Sequence, residues 1–333
     1  MRELKIGKNE AGQRMDKYLK KYLREAGSGF LYKMLRKKNI VLNDKKAEGN
    51  EMLKEGDSIK LYLADETIDK FRGTIEEVPV ISPKRKTSLD IIYEDENFLI
   101  INKPAGILSQ KAEASDVSMV ELLIDYMVEN KQITQEELQT FRPSICNRLD
   151  RNTSGLLLAG KTLAGLQEFS RVLKERQMKK YYLCFVKGTV KNGKHCKAYL
   201  VKDKKNNQVK VSTQAMPNAE YIETAYEPMW NGNGASLLKV ELITGKSHQI
   251  RSHLASLGYP LAGDTKYGDK NWNKELKEKT GLSHQFLHSW RIEFPKQDGI
   301  LQVLSEKTMQ TDLPNNLREV LKYVSCQMDM TSL

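Results

Sequence analysis

Between residues 64 and 88 the hydrophobic period that runs through the rest of the chain breaks down, so each flanking stretch has to bury its own apolar face. This segment carries Asp65-Glu66, Pro79, Pro83 and Lys84-Arg85-Lys86 in mixed order, as a linker does. A length of 333 residues fits that division into one small and one large unit. The expected domains are therefore 1–63 and 89–333, joined by a linker over 64–88. In the first, Met15, Tyr18, Leu19 and Leu23, then Phe30, Leu31, Met34 and Leu35, recur at helical spacing, and Gly27-Ser28-Gly29 splits them into two helices. Ile40-Val41-Leu42-Asn43 and Ser58 to Tyr62 read as short strands. In the second, strands are expected at 90–94, 98–102, 180–187, 221–229, 236–244 and 286–294. Helices are expected at about 117–129, 162–176, 247–257 and 314–326. This irregular mixture points to an α+β fold rather than a repeating βαβ array.

The formal charge of +11 and a pI near 9.2 favour a polyanionic partner, since each Lys or Arg that neutralises a phosphate releases a counterion. The charge is concentrated: residues 1–63 hold 16 Lys and Arg against 9 Asp and Glu, a surplus of 7. The start, MRELKIGKNE, lacks the apolar core of a secretory signal, and no run of about 18 apolar residues predicts a membrane span. A cytoplasmic protein is expected. Cys146, Cys184, Cys196 and Cys326 form no CxxC pair, which speaks against a zinc ribbon or redox dithiol. His248 and His253, five apart on the expected helix, would point about 140° from each other, unlike a zinc-binding i, i+4 pair. Gly232-Asn233-Gly234 reads as a β-turn rather than a dinucleotide loop. The apolar stripes of 119–126 and 317–324 read as core.

Two resemblances sharpen this picture. The segment DKYLKKYL followed by LYKMLRKKNIVLNDKKAEGNEMLKEGDSIKL resembles the S4 RNA-binding domain, which implies a small αα-plus-strands module with a basic face for structured RNA. The stretch NRLDRNTSGLLLAGKT, from Asn147 to Thr162, closely resembles the signature of the ribosomal large-subunit (RluA-type) pseudouridine synthases, usually HRLDRDTSGLLL. Three further segments resemble that family in the same order: INKPAG at 101–106, KYYLCFVKG at 180–188, and LITGKSHQIRSHLA at 242–255, followed by Gly258-Tyr259-Pro260 and Gly263-Asp264 to Tyr267-Gly268. The resemblance spans residues 90–295. It implies a mixed, mainly antiparallel sheet in the larger domain.

It also implies an activity: isomerisation of uridine to pseudouridine in RNA. That reaction breaks the N1–C1′ bond, turns the bound uracil and rejoins it through C5, without redox change or an added group, so no cofactor is required. The family's essential carboxylate falls on Asp150, able to serve as nucleophile or as base. Its tyrosine falls on Tyr182; because successive strand residues face opposite ways, Tyr182 and Tyr181 cannot both enter the pocket. Arg251 is expected to pair bidentately with Asp150, favouring the charged carboxylate. Tyr182 could stack on uracil or mediate proton removal at C5. Arg148, Arg151, His248, Gln249 and Lys103 are expected substrate contacts, and the target base must be unpaired or flipped out.

Two positions depart from the usual pattern: Asn147 replaces His, and Asn152 replaces Asp. Asn147 can hydrogen-bond but cannot transfer protons as His would. The expected partner is RNA, with ribosomal RNA first and transfer RNA second, and a monomer without membrane or protein partners. Two competing readings are a non-catalytic S4-type RNA-binding or ribosome-assembly factor and a nucleoside hydrolase. The latter would need a second carboxylate to manage water.

Overall fold

The computed structural model describes residues 1–73, 89–113, 115–203 and 208–324. In the N-terminal part, β1 (Arg2–Lys5) precedes the helices α1 (Met15–Tyr22) and α2 (Ser28–Arg36), and then come β2 (Ile40–Leu42), β3 (Lys45–Lys46), β4 (Ser58–Leu61) and α3 (Asp65–Arg72). The four strands form an antiparallel sheet in the order β1-β4-β2-β3. The helical stripes seen in the sequence face this sheet, so Met15, Leu19, Leu23, Leu31 and Leu35 meet Ile40, Ile59 and Leu61 in one core.

Helix α3 occupies residues read as the start of the linker. Ile68 and Phe71, three apart, land on one face; Ile68 is fully buried in the N-terminal core and Phe71 packs on Phe30 with ring centroids 4.4 Å apart. Two apolar residues in eight are too few to show a period in sequence. Asp65 and Glu66 in the first turn complement the positive end of the helix. The rest of the segment read as a linker, 74–88, lies outside the described residues.

The larger part contributes β5 (Ile91–Glu94), β6 (Phe98–Lys103), α4 (Met119–Glu129), β7 (Ser144–Ile145), β8 (Ser154–Gly160), α5 (Leu163–Lys174) and β9 (Lys179–Lys187). It continues with β10 (Lys194–Asp203), β11 (Gln208–Ser212), β12 (Glu220–Gly232), β13 (Ala235–Leu242), α6 (Gln249–Ser256), α7 (Lys270–Thr280), β14 (Leu287–Glu293), β15 (Thr308–Gln310) and α8 (Asn315–Val324). The expected end of α8 at 326 falls outside the described residues. Eleven strands make one sheet, ordered β11-β10-β12-β13-β9-β14-β8-β6-β5, with β15 beside β14 and β7 beside β8. Only the β8–β14 pairing is parallel among the described strands. The fold is thus α+β with a mainly antiparallel sheet.

Helices cover both faces. On one, α4 and α6 pack against Ile101, Leu157, Cys184 and Val240. On the other, α5 covers Phe98, Leu156 and Leu158, while α7 and α8 cover Leu183, Phe185 and Leu237. Burial from both sides explains why β8 escaped the sequence reading: all seven of its residues are buried, so no alternation appears. Helix α7 escaped for the opposite reason, since only Leu276 of its eleven residues is buried. The Asn233-Gly234 pair has positive φ at both residues, 50° and 71°, and closes the β12–β13 hairpin as the paired twist requires.

The parallel crossing of β8 and β14 fixes the start of the strand that follows Asp150. Gly155 has φ 106° and faces Ser289 so closely that a Cβ there would lie 2.1 Å from the Ser289 carbonyl oxygen. No side chain fits. This brings the loop before Ser154 beside β14, whose Ser289 pairs on its other side with Tyr182 of β9.

Candidate active site

Asp150 sits in the loop between β7 and β8, and backbone contacts hold that loop on both sides. Before it, the Ser109 hydroxyl donates to the Leu149 carbonyl at 2.7 Å and accepts from the Leu149 N–H at 3.0 Å. After it, the Arg151 carbonyl accepts from Gly106 N–H at 2.8 Å and from Lys103 Nζ at 2.9 Å. Lys103 was expected to touch substrate. It is instead fully buried beneath the loop, its ammonium donating to the carbonyls of Pro104, Ile107 and Arg151, which accounts for all three of its protons. Burial brings Lys103 down to about 7, with the nearby Asp150 acting in the other direction. Its task is to tie the loop at 103–107 to the loop bearing Asp150.

Asn147, the departure from the usual His, accepts from the Leu158 N–H through Oδ1 at 2.7 Å. Its amide thereby completes the backbone of β8 and braces the same loop.

Arg251 reaches Asp150 from α6, 101 residues away in sequence, with Nη1 2.7 Å from Asp150 Oδ2. The expected pairing is present but its geometry differs. The bidentate partner is Asp264: Nε and Nη2 of Arg251 donate to its two oxygens at 2.7 and 2.9 Å, leaving Nη1 for Asp150. Burial opposes the charge on Arg251, but Asp264, supplemented by Asp150, raises its basicity above the ordinary value. Asp264 is itself buried; the Arg251 guanidinium and the N–H groups of Lys266 and Tyr267 overcome that burial and hold its carboxyl below the usual range.

Tyr182 and Tyr181 point to opposite faces of β9. Tyr182 joins the core under α4 and α6 and lines the recess with Asp150, Arg251 and His248, whereas Tyr181 lies on the other face, with Lys239 Nζ 5.2 Å from its ring. Burial pushes the Tyr182 phenol up to about 12; Ser289 acts to lower it and Asp150 adds to the rise.

Gln249, another expected substrate contact, is withdrawn into the fold. Its oxygen accepts from Thr244 Oγ1 at 2.8 Å and Lys246 N–H at 3.1 Å, and its nitrogen donates to the Glu223 carbonyl and Thr224 Oγ1 at 3.0 Å each. All four of its hydrogen-bonding positions are used, so it shapes the turn before α6. That turn also revises His248. Helix α6 starts at Gln249 rather than 247, and His248 precedes it in a left-handed conformation, φ 55° and ψ 16°, with its ring on Tyr267. His253 turns inward to Thr224 Oγ1 at 3.1 Å.

Asp150, Tyr182, His248, Arg148 and Arg151 line one cleft of about 980 Å³. Arg148 and Arg151 are exposed at its rim, and the end of α5 with the start of β9 adds Lys174, Arg176 and Lys180, which sequence reasoning had not singled out. The cleft has eight Lys or Arg along its walls against Asp150 and Asp203. Such a lining suits a polyanion and leaves one carboxylate, Asp150, between a guanidinium and an aromatic ring.

A family model described as RNA pseudouridylate synthase matches residues 97–256, the span that includes Asp150, Tyr182 and Arg251. The ribosomal large subunit pseudouridine synthase C of Pasteurella multocida is 31% identical over 318 residues, covering 90% of this chain and 88% of that protein. The protein of the same name from Escherichia coli K12 is 30% identical over 328 residues, covering 90% and 95%. The chain belongs to the RNA pseudouridylate synthase family. A solved structure, human RNA pseudouridylate synthase domain containing 4, shares the fold with a TM-score of 0.55 at 21% identity, covering 69% of this chain and 91% of that one.

As an RNA pseudouridine synthase, the protein must isomerise uridine without losing the detached uracil. A recess that pairs one carboxylate with an aromatic wall suits that task. No helix among the described residues is long and apolar enough to cross a membrane.

Proposed function

We propose that this synthase modifies a uridine of large-subunit ribosomal RNA and that Asp150 is the carboxylate meeting the reacting ribose and base. The observation that carries this reading is the 2.7 Å contact from Arg251 to Asp150 inside a basic cleft. Arg251 stabilises the carboxylate and aims it, while Asp264 holds Arg251. The relatives' name, ribosomal large subunit pseudouridine synthase, supports the choice of RNA.

Tyr182 serves as the stacking wall for the uracil. Burial pushes its phenol up to about 12, which favours the neutral ring over a phenolate there. Arg148, Arg151 and His248 contact the flipped nucleotide and its backbone. The unit over 1–63 acts as an S4-like RNA-binding module, 74–88 links it to the catalytic part over 89–333, and α3 belongs with the module. The proposed active form is a cytoplasmic monomer.

Mapping pseudouridines in cellular RNA by carbodiimide adducts and reverse-transcription stops, with and without the gene, tests the substrate. One or more stops in large-subunit ribosomal RNA should vanish; loss of stops only in transfer RNA would refute the ribosomal assignment.

The module makes a separate prediction. Lys17, Lys20, Lys33 and Lys37 are exposed on and beside α1 and α2. Changing all four to Gln should weaken RNA binding and reduce the slope of log K against log salt by about 0.7 for each phosphate no longer neutralised. The turnover at saturating RNA should be nearly unchanged. An unaltered slope, measured by filter binding across a salt series, would refute the RNA-binding role. A truncation meant to remove the module should end at residue 73, because cutting at 63 strands Ile68, whose burial is worth about 1.5–3 kcal/mol.

A further inference from the structure

Tyr267 joins three elements at the edge of the recess. Its N–H donates to Asp264 Oδ1 at 3.1 Å, and its ring lies 5.4 Å from the Arg251 guanidinium carbon. Its hydroxyl meets the Val209 N–H of β11 at 2.9 Å and Nδ1 of His248 at 2.9 Å. The His248 ring stands edge-on to it, with centroids 5.7 Å apart, and lines the recess beside Asp150, Tyr182 and Arg251.

A phenol has one proton to donate and lone pairs to accept with. The Val209 N–H takes a lone pair. Among the described residues, the remaining partner of the hydroxyl is His248 Nδ1, the one acceptor they offer the phenolic proton. An imidazole that accepts at Nδ1 and is neutral carries its own proton on Nε2. No hydrogen bond occupies Nε2 among the described residues.

We propose that Tyr267 is a positioning residue that holds His248 in the neutral tautomer protonated at Nε2, and that this N–H donates to a carbonyl oxygen of the uracil in the recess. The second half of this inference rests on the reading that the recess receives the target nucleotide. Phosphate oxygens already have Arg148 and Arg151 along the cleft, whereas a neutral donor suits an uncharged carbonyl. The surroundings agree with neutrality: burial lowers the basicity of His248, Arg251 and Lys266 act with it, and Asp150 and Asp264 act against it. A strongly committed left-handed residue also keeps the ring in place, since φ 55° is an uncommon conformation that surrounding contacts must hold.

The test uses the full-length protein with ring-¹⁵N-labelled histidine. Without RNA at neutral pH, the His248 signals, assigned by their disappearance in His248→Gln, should show a protonated Nε2 and an accepting Nδ1. In Tyr267→Phe, which keeps the ring over Arg251, this preference should weaken and the ring should titrate at a higher pH. A wild-type signal from the Nδ1-protonated tautomer or from imidazolium would overturn the role of Tyr267 irrespective of what the recess binds. In the pseudouridylation assay, His248→Ala should lower kcat/KM by about tenfold, the effect of removing one hydrogen bond. His248→Gln, whose amide nitrogen reaches the Nε2 position, should recover part of it, and His248→Asn, which tolerates the left-handed backbone but reaches only the Nδ1 position, should not. Equal rescue by Asn would overturn the donor role, and Asp150→Asn tests the site assignment independently of either result.

Discussion

Asp150→Asn should lower kcat by roughly four orders of magnitude or more while leaving the fold and RNA affinity close to wild type. The substitution is nearly isosteric. Its carbonyl oxygen can still accept from Arg251 Nη1, so the 2.7 Å contact and the loop held by Ser109 and Lys103 need not move. What disappears is the anionic oxygen able to attack or to take a proton, and no neighbour replaces it. Asp264, the nearest carboxylate in the network, has both oxygens committed to Arg251 and to backbone N–H groups. Single-turnover rates and binding isotherms on the same RNA separate the two effects. A variant that retains turnover within tenfold of wild type would remove Asp150 from the mechanism.

Asp264→Asn should cause the largest loss of stability, about 3–5 kcal/mol, because it leaves a buried guanidinium without its bidentate counter-charge. The ion pair is shielded from solvent: the side chain of Asp264 is 0% exposed and that of Arg251 is 6% exposed. Activity should fall too, since Arg251 would be free to turn away from Asp150. The pH dependence has a definite sign. The folded carboxyl of Asp264 is held below its ordinary value, so its contribution is present above about pH 4 and is lost as pH falls through the depressed value. Acid unfolding monitored by circular dichroism should therefore show a smaller drop in stability between pH 5 and 3 in Asp264→Asn than in wild type, from an already lower starting point. A variant as stable as wild type at neutral pH would mean that Arg251 does not depend on this pair.

The sequence motifs carried Asp150, Tyr182 and Arg251 because each is bound to a local pattern that survives without knowledge of the fold. Alternation along β9 was enough to say that only one of Tyr181 and Tyr182 enters the recess. The same reasoning could not decide the fate of Lys103 and Gln249. Polar residues within a motif look alike in sequence whether they face RNA or satisfy buried carbonyls, and these two do the latter. Asp264 was matched only as part of Gly263-Asp264 and given no role, because nothing local ties that carboxylate to an arginine 13 residues earlier. A clue was nonetheless present, since Arg251, Ile250 and Leu254 share one helix, and an arginine buried with such neighbours needs a counter-charge from elsewhere in the chain. Helix boundaries mattered as well. Placing the start of α6 two residues early put His248 on a helix, whereas its left-handed backbone turns it toward Tyr267.

The most direct measurement is tritium release from [5-³H]uridine-labelled large-subunit ribosomal RNA, followed by nucleoside analysis of the product. The purified protein should release tritium in step with pseudouridine appearing in intact RNA, and Asp150→Asn should do neither. Free uracil in place of pseudouridine, or equal release by the Asp150→Asn variant, would contradict the account.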